Sequence, residues 1–240
     1  MGSILTLFRD IVFPPLCAVC GVWLGIPSKG NLCQTCLDDI EKIKPPVCPI
    51  CGRPFEPSLP THLCGRCLVK PPPYDTCQSA FVYKGTIRKL IHAVKYVHDG
   101  YALKALKALG PYDFLINDHV IDLIVPVPLH PGRLRSRGSN QALQIARVFF
   151  PSLPTGPMLI ERTVDTPSQT GLSKKDRKKN VKNAFKIKGP CPDGIKRVLL
   201  VDDVFTTGAT VEACARALKR GGIKEVHVFT LARVIASSQA

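Results

Sequence analysis

The chain has no apolar stretch near the roughly 18 to 20 residues that a bilayer-spanning helix needs, which excludes an integral membrane protein of that kind. No secretory leader is expected either. Met1 to Pro15 shows no basic leader region, and Leu5, Phe8, Ile11 and Val12 recur at helical spacing, so a short amphipathic helix packed on its own protein is expected there. A soluble, cytoplasmic protein follows as the expectation. Acidic residues are scarce, 18 against 33 Lys and Arg, for a formal charge of +15 over 240 residues. Such a balance favours partners rich in phosphate, polymeric or small. The deficit is uneven: residues 1–77 hold seven basic and six acidic residues, residues 78–240 hold 26 and 12, so two regions of different function are marked out at +1 and +14. An apolar share of 45% excludes a disordered or collagen-like chain and suffices for a core.

Eleven cysteines, with no leader expected, speak against a disulfide framework, because cytosolic thiols stay reduced. Eight of them are ordered. Cys17, Cys20, Cys33 and Cys36 form two C-x2-C pairs, and the same spacing returns 31 residues later in Cys48, Cys51, Cys64 and Cys67. Gly21 and Gly52, Leu32 and Leu63, and Leu37 and Leu68 extend this internal repeat. A C-x2-C turn lets two thiolates reach one ion, and two turns complete a tetrahedral sulfur shell around Zn(II). Two structural zinc ions in a double zinc ribbon are therefore expected. Sequential shells fit the repeat, although pairing Cys17 and Cys20 with Cys48 and Cys51 uses the same inventory. Eight thiolates leave no open coordination position, so catalysis belongs elsewhere. Cys77, Cys191 and Cys214 lack paired spacing and read as ordinary small residues, and Trp23 is expected to pack inside the first ribbon.

Nine prolines between Ile43 and Pro73 forbid long helices and mark a boundary near Pro73. Beyond it, Ala80 to Tyr83 predicts a strand, Thr86 to Tyr96 and Tyr101 to Leu109 helices, Ile121 to Val127 a buried strand and Gln141 to Phe150 a helix. Met158 to Ile160 is too short to assign. Lys196 to Val201 predicts a strand, Ala209 to Arg220 a helix with Cys214 facing inward, and Val226 to Leu231 a final strand. Alternation of this kind implies an α/β fold with a mainly parallel sheet flanked by helices, which takes its ligands at the carboxyl ends of the strands.

One such end is distinctive. Val198 to Val201 precede Asp202 and Asp203, and then Val204-Phe205-Thr206-Thr207-Gly208-Ala209-Thr210 opens a helix. Backbone N–H groups at the helix start, close approach at Gly208, and the hydroxyls of Thr206, Thr207 and Thr210 make an anion cradle. Two adjacent carboxylates repel phosphate, so they must address sugar hydroxyls or a divalent cation. A molecule joining phosphate to ribose suits both halves.

These thirteen residues closely resemble the motif with which type I phosphoribosyltransferases bind 5-phosphoribosyl 1-pyrophosphate (PRPP). Nearly the whole chain resembles the ComF family, a double zinc ribbon joined to a phosphoribosyltransferase-like domain and associated with bacterial competence and DNA uptake. Carrying segments include Phe13-Pro14-Pro15, Lys95-Tyr96 with Asp99, Pro126 to Pro131 with Arg133, Arg137-Gly138 and Asn140-Gln141. Arg162, Gln169, Gly171-Leu172-Ser173, Arg177, Asn180, Ala184-Phe185 and Leu231-Ala232-Arg233 continue it. Ser139 departs from the more usual aromatic residue, which touches a packing contact and not the phosphate chemistry. The resemblance implies a double zinc ribbon over residues 1–75, with its N-terminal helix, and a phosphoribosyltransferase-like domain over 76–240. It implies that Asp202 and Asp203 hold the ribose hydroxyls and Thr206, Thr207, Gly208, Ala209 and Thr210 the 5'-phosphate. Pro128, Leu129, His130, Arg133 and Arg137 would lie at the pyrophosphate, with Mg(II) as cofactor.

The segment Asp165 to Asn183 holds Lys174, Lys175, Arg177, Lys178, Lys179 and Lys182 against two carboxylates. By resemblance it is the loop that closes over PRPP, with Arg177 joining Asp202 and Asp203 as a catalytic residue. A solvated basic loop and a contact to a nucleic-acid backbone remain open alternatives. The implied activity is a glycosyltransferase-class transfer of phosphoribosyl, serving DNA uptake or nucleotide metabolism. The rival is a module that senses PRPP or a nucleotide, or binds single-stranded DNA and competence-machinery proteins, without turnover. His62, two residues before Cys64, is unneeded as a ligand when eight cysteines are present, and His92, His98, His119 and His227 have no motif around them.

Overall fold

The computed structural model describes residues 15–25, 29–96, 100–110, 121–164, 184–189 and 191–235. The expected N-terminal helix, His98, Asp99, His119 and the basic segment 165–183 lie outside the described residues. None of the described helices is long and apolar enough to cross a membrane. The chain divides into two compact units, one of residues 1–41 with 84–111 and the other of residues 42–83 with 112–240.

In the first unit the leading cysteine repeat ends in a short helix, α1 (Gln34–Asp38), and is accompanied by α3 (Gly85–Tyr96) and α4 (Gly100–Leu109). Both longer helices form because their apolar residues fall on one stripe. Ile87, Leu90, Ile91 and Val94 of α3 are buried, as are Ala102, Ala105 and Leu106 of α4. The small stripe on α4 admits backbone: a Cβ placed on Gly30 would stand 2.1 Å from the Cβ of Ala108, and Gly30 has φ 73°. Asp39 closes the start of α3, its Oδ2 accepting the Thr86 N–H at 2.6 Å, and that bond holds its carboxyl below the usual carboxylate range.

The second unit carries the later cysteine repeat, with α2 (Gly65–Val69), and a four-stranded sheet. Its strands are β1 (Thr76–Val82), β2 (Leu123–Pro126), β5 (Arg197–Phe205) and β6 (Glu225–Arg233), all parallel in the order β1-β6-β5-β2. β5 is an interior strand, paired with β2 on one side (Val125 beside Leu200) and β6 on the other (Leu200 beside Val228). Val198 to Val201 are fully buried, the continuous apolar run that a parallel strand covered on both faces requires. Helices α5 (Pro131–Arg137), α6 (Gln141–Phe149) and α7 (Ala209–Arg220) complete the unit. α7 links β5 to β6 and buries Val211, Cys214, Ala215 and Leu218. Phe149 and Phe150 meet the ring of Phe229 with centroids 5.8 and 5.0 Å apart.

The structure extends several sequence expectations. β1 begins at Thr76, ahead of the expected Ala80, and β5 runs on through Asp202 and Asp203 to Phe205. A two-stranded antiparallel sheet of β3 (Ile160–Arg162) and β4 (Phe185–Ile187) was not legible, since three-residue strands carry too short a pattern to detect. Trp23 is 67% exposed, contrary to expectation. It sits on the bridge to Leu16, in a knuckle too small to enclose an indole.

Two carboxylates fasten the edges of this sheet. Asp122 Oδ2 accepts the N–H groups of Lys196 and Arg197, both at 2.8 Å. Asp75 Oδ2 accepts from Val226 N at 2.7 Å and Lys219 Nζ at 2.8 Å. These backbone donors hold the Asp122 carboxyl below its ordinary range; burial opposes the same shift at Asp75, but Lys219 and the Val226 N–H outweigh it. A depressed folded-state value means that the contribution is complete above the unfolded value of about 4 and disappears as pH falls through the folded one. Stability measured by denaturant should therefore fall below about pH 4, and less steeply in Asp122→Asn than in the wild type. An identical slope in both would show that Asp122 contributes nothing.

Candidate phosphate site and cysteine tetrads

The two cysteine repeats gather separately. Cys17, Cys20, Cys33 and Cys36 form one group and Cys48, Cys51, Cys64 and Cys67 the other, the sulfurs of each lying within 4.8 Å of one another. This is the sequential pairing. The Sγ atoms of Cys20 and Cys33, and of Cys51 and Cys64, stand 3.6 Å apart, close to the edge of about 3.8 Å that Zn–S bonds of about 2.3 Å give a tetrahedron. The Cys33 N–H points at Cys17 Sγ (3.5 Å) and the Cys64 N–H at Cys48 Sγ (3.4 Å). Burial opposes ionisation of Cys17, yet N–H groups of Cys20, Cys33 and Val19 bring it down to about 6. Cys48 falls to about 7 in the same way, through Cys51, Cys64 and Ile50. Burial pushes Cys36 up to about 12 and Cys51 up to about 11. Four clustered thiols cannot all ionise without a cation, so the donor set fits Zn(II), which would be held by all eight cysteines and supply folding energy. His62 belongs to neither group; it stacks on Phe55 with centroids 3.9 Å apart and bonds the Pro60 carbonyl.

The expected anion cradle lies at the carboxyl end of β5. Because β5 continues through Phe205, Asp202 and Asp203 leave opposite faces of the strand, and Asp202 is the one that lines the pocket at its end. Asp202 Oδ1 accepts the Asp203 N–H at 2.9 Å. The chain then turns through Thr206, Thr207 and Gly208 into α7. Gly208 has φ 81°, and a Cβ on it would stand 2.6 Å from the Phe205 ring, so this position needs glycine for both conformation and space. Thr207 Oγ1 faces the Ala209 N–H at 3.4 Å. A shallow pocket is lined by Asp202, Phe205, Thr206, Gly208, Ala209 and Thr210. Below it, the buried Arg233 guanidinium lies 3.9 Å from the Phe205 ring centre. Phe205 and Arg233 as the floor of the loop were missed at the sequence level, where nothing orients either side chain.

β2 pairs directly with β5, so its following loop opens beside the cradle; the Val127 N–H donates to the Val201 carbonyl at 2.8 Å. Pro128, Leu129 and His130 lead into α5, a helix that has no apolar stripe to announce it. His130 caps it: Nδ1 accepts the Gly132 N–H at 3.3 Å, which leaves the ring proton of a neutral His130 on Nε2. Arg133 and Arg137 lie on the same helix, and Arg137 Nη1 reaches Gln141 Oε1 at 3.4 Å. Asn140 ties the loop down, donating to the Val127 carbonyl (3.0 Å) while its Oδ1 accepts the Ala142 N–H (2.9 Å). Arg177 lies outside the described residues.

A double zinc ribbon domain model matches residues 8–68, and a phosphoribosyl transferase domain model matches residues 157–239. The chain is 34% identical over 232 residues to the DNA utilization protein YhgH of Salmonella typhimurium, covering 94% of this chain and 100% of that one. It is 34% identical over 182 residues to competence protein F of Haemophilus influenzae, covering 71% and 78%. With competence protein ComFC of Bacillus subtilis it shares 28% over 160 residues, covering 65% and 63%.

Metal analysis should find two zinc ions per chain, one for each tetrad, and Cys36→Ser should release one of them and leave the other bound. Loss of both would mean that the two tetrads load as one unit. Gly208→Ala should cost about 1 to 2 kcal/mol for the positive φ alone, read as a lowered denaturation midpoint. A variant as stable as the wild type would show that the loop relaxes freely around Phe205.

Proposed function

Because the chain belongs to the ComF family, with a phosphoribosyltransferase domain behind its zinc ribbons, we propose that it binds PRPP with Mg(II) and transfers the phosphoribosyl group with release of pyrophosphate, in DNA utilization or nucleotide metabolism. The observation that carries this reading is the convergence of two neighbouring strand ends. β5 supplies Asp202, Asp203 and the Thr206–Thr210 turn, and β2 supplies the loop to His130 and α5. Backbone N–H groups at the start of α7 and the threonine hydroxyls hold the 5'-phosphate. Asp202 and Asp203 accept from the ribose hydroxyls. His130, donating from Nε2, and Arg133 and Arg137 meet the pyrophosphate.

Breaking the bond from C1 to pyrophosphate leaves electron deficiency on the ribose and negative charge on the departing group, while the acceptor's lone pair forms the new bond at C1. Mg(II), when bound, supplies charge neutralisation for the pyrophosphate. Donors aimed at the leaving group lower the barrier because they are already oriented when the charge develops. Asp202 and Asp203 face the growing positive charge on the sugar, the sign a carboxylate stabilises.

A second reading, a module that handles single-stranded DNA in competence without turnover, is favoured by the excess of 26 basic over 12 acidic residues in 78–240 and by the names of the relatives. Isothermal titration of PRPP into the zinc-loaded protein should give heat with Mg(II), little without it, and a loss of affinity of at least tenfold in Asp203→Asn, as expected when a charged hydrogen-bond acceptor is lost. Absence of heat from a folded, zinc-loaded sample would reject the PRPP site. Binding to a single-stranded oligonucleotide that weakens steeply with salt would then support the second reading.

A further inference from the structure

The second cysteine tetrad and the phosphate loop belong to the same compact unit, and two arginines join them. Arg66 stands on α2 between the ligands Cys64 and Cys67. Its Nη1 donates to the Thr207 carbonyl at 3.0 Å, and its Nη2 pairs with Glu212 in the first turn of α7. Arg233, at the end of β6, donates from Nη2 to the carbonyl of the ligand Cys51 and from Nε to Ser79 Oγ at 3.3 Å, while its guanidinium lies on Phe205. Phe205 in turn meets the loop at Gly208. Both knuckles of this tetrad are thereby connected to the loop. The first ribbon has no such arginine: the counterpart of Arg66 one 31-residue repeat earlier is Thr35.

The Thr207 contact has a specific consequence. In a trans peptide the carbonyl and the following N–H point in opposite directions within one plane. Holding the Thr207 carbonyl toward α2 therefore aims the Gly208 N–H away from the ribbon, into the cradle. The same guanidinium pairs with Glu212 in the first turn of α7, which Arg216 also meets at 3.8 Å, and so shares in neutralising a carboxylate that opposes an anion at that helix start.

We propose that Arg66 is a positioning residue for the phosphate loop, held by the second cysteine tetrad, with Arg233 and Phe205 as a second support from the same tetrad. The ribbon is then part of the anion site and not an appended module. The role of the cradle rests on the PRPP reading above; the positioning of the loop is a separate claim, and the two are tested separately.

The test uses the full zinc-loaded chain with Arg66→Ala and Arg66→Lys, confirming first that each keeps its two zinc ions. Hydrogen exchange of the amides from Phe205 to Thr210 should quicken by roughly tenfold in Arg66→Ala, with the amides of Val198 to Val201 unchanged. Arg66→Lys should fall between, because a single ammonium can hold the Thr207 carbonyl or Glu212 but not both in the planar fork geometry. Affinity for PRPP with Mg(II) should drop by roughly tenfold in Arg66→Ala. Loop exchange as slow in Arg66→Ala as in the wild type overturns the proposal, whether or not PRPP binds. Quickened exchange in proteins that do not bind PRPP upholds the positioning role and removes the PRPP reading instead.

Discussion

The arrangement of the second unit depends on β5 being an interior parallel strand. Val198 to Val201 are buried on both faces, and the strand is hydrogen-bonded on both edges, to β2 and to β6. With the run hydrogen-bonded on both edges and every side chain enclosed, the register has no freedom: a one-residue slip would draw Arg197 or Asp202 into the buried positions. Asp202 is the first residue that is not fully enclosed. The carboxylates, the turn and the start of α7 are thus delivered at the carboxyl edge as a consequence of how the preceding four residues pack.

The same pairing brings the second half of the site into place. β2 is only four residues long, yet its parallel register with β5 puts Val127 beside Val201 and sends the chain toward His130 on the edge where the cradle opens. Local polar bonds then hold the shape. Asn140 caps α6 and tethers the Val127 carbonyl, and His130 spends Nδ1 on capping α5, so the ring's other nitrogen is the one with a proton to give. In this way side-chain caps that stabilise helix starts also fix which atoms the loop presents at that edge.

The cysteine tetrads solve a different problem. Segments as small as each repeat cannot bury enough surface to fold alone, and a shared cation would replace the missing core. Their partners differ. The first repeat lies in a unit with α3 and α4, the second in the unit of the parallel sheet, where Gly52 packs so close to β1 that a Cβ would stand 2.3 Å from the Cys77 carbonyl. The repeated motif thus serves two environments, and Arg66, whose counterpart is Thr35, is one of the positions at which the repeats differ.

Much of this was legible in the linear order of residues, because the determining signals are local. Spacing of two residues within each cysteine pair and 31 between repeats is enough to specify metal shells. Four apolar residues followed by two aspartates and a threonine-glycine turn is enough to specify a buried strand ending in a turn that opens a helix. The strand alternation was legible for the same reason, and it failed where the pattern was short, at β3, β4 and α5. What the tertiary structure alone decided is which strand ends are neighbours, that the shells are sequential, that Trp23 stays in solvent, and that Arg66 and Arg233 tie one tetrad to the loop. The two arginine contacts join residues 141 and 182 positions apart in the chain, and the rest is set by sheet register and close packing, which no local spacing encodes.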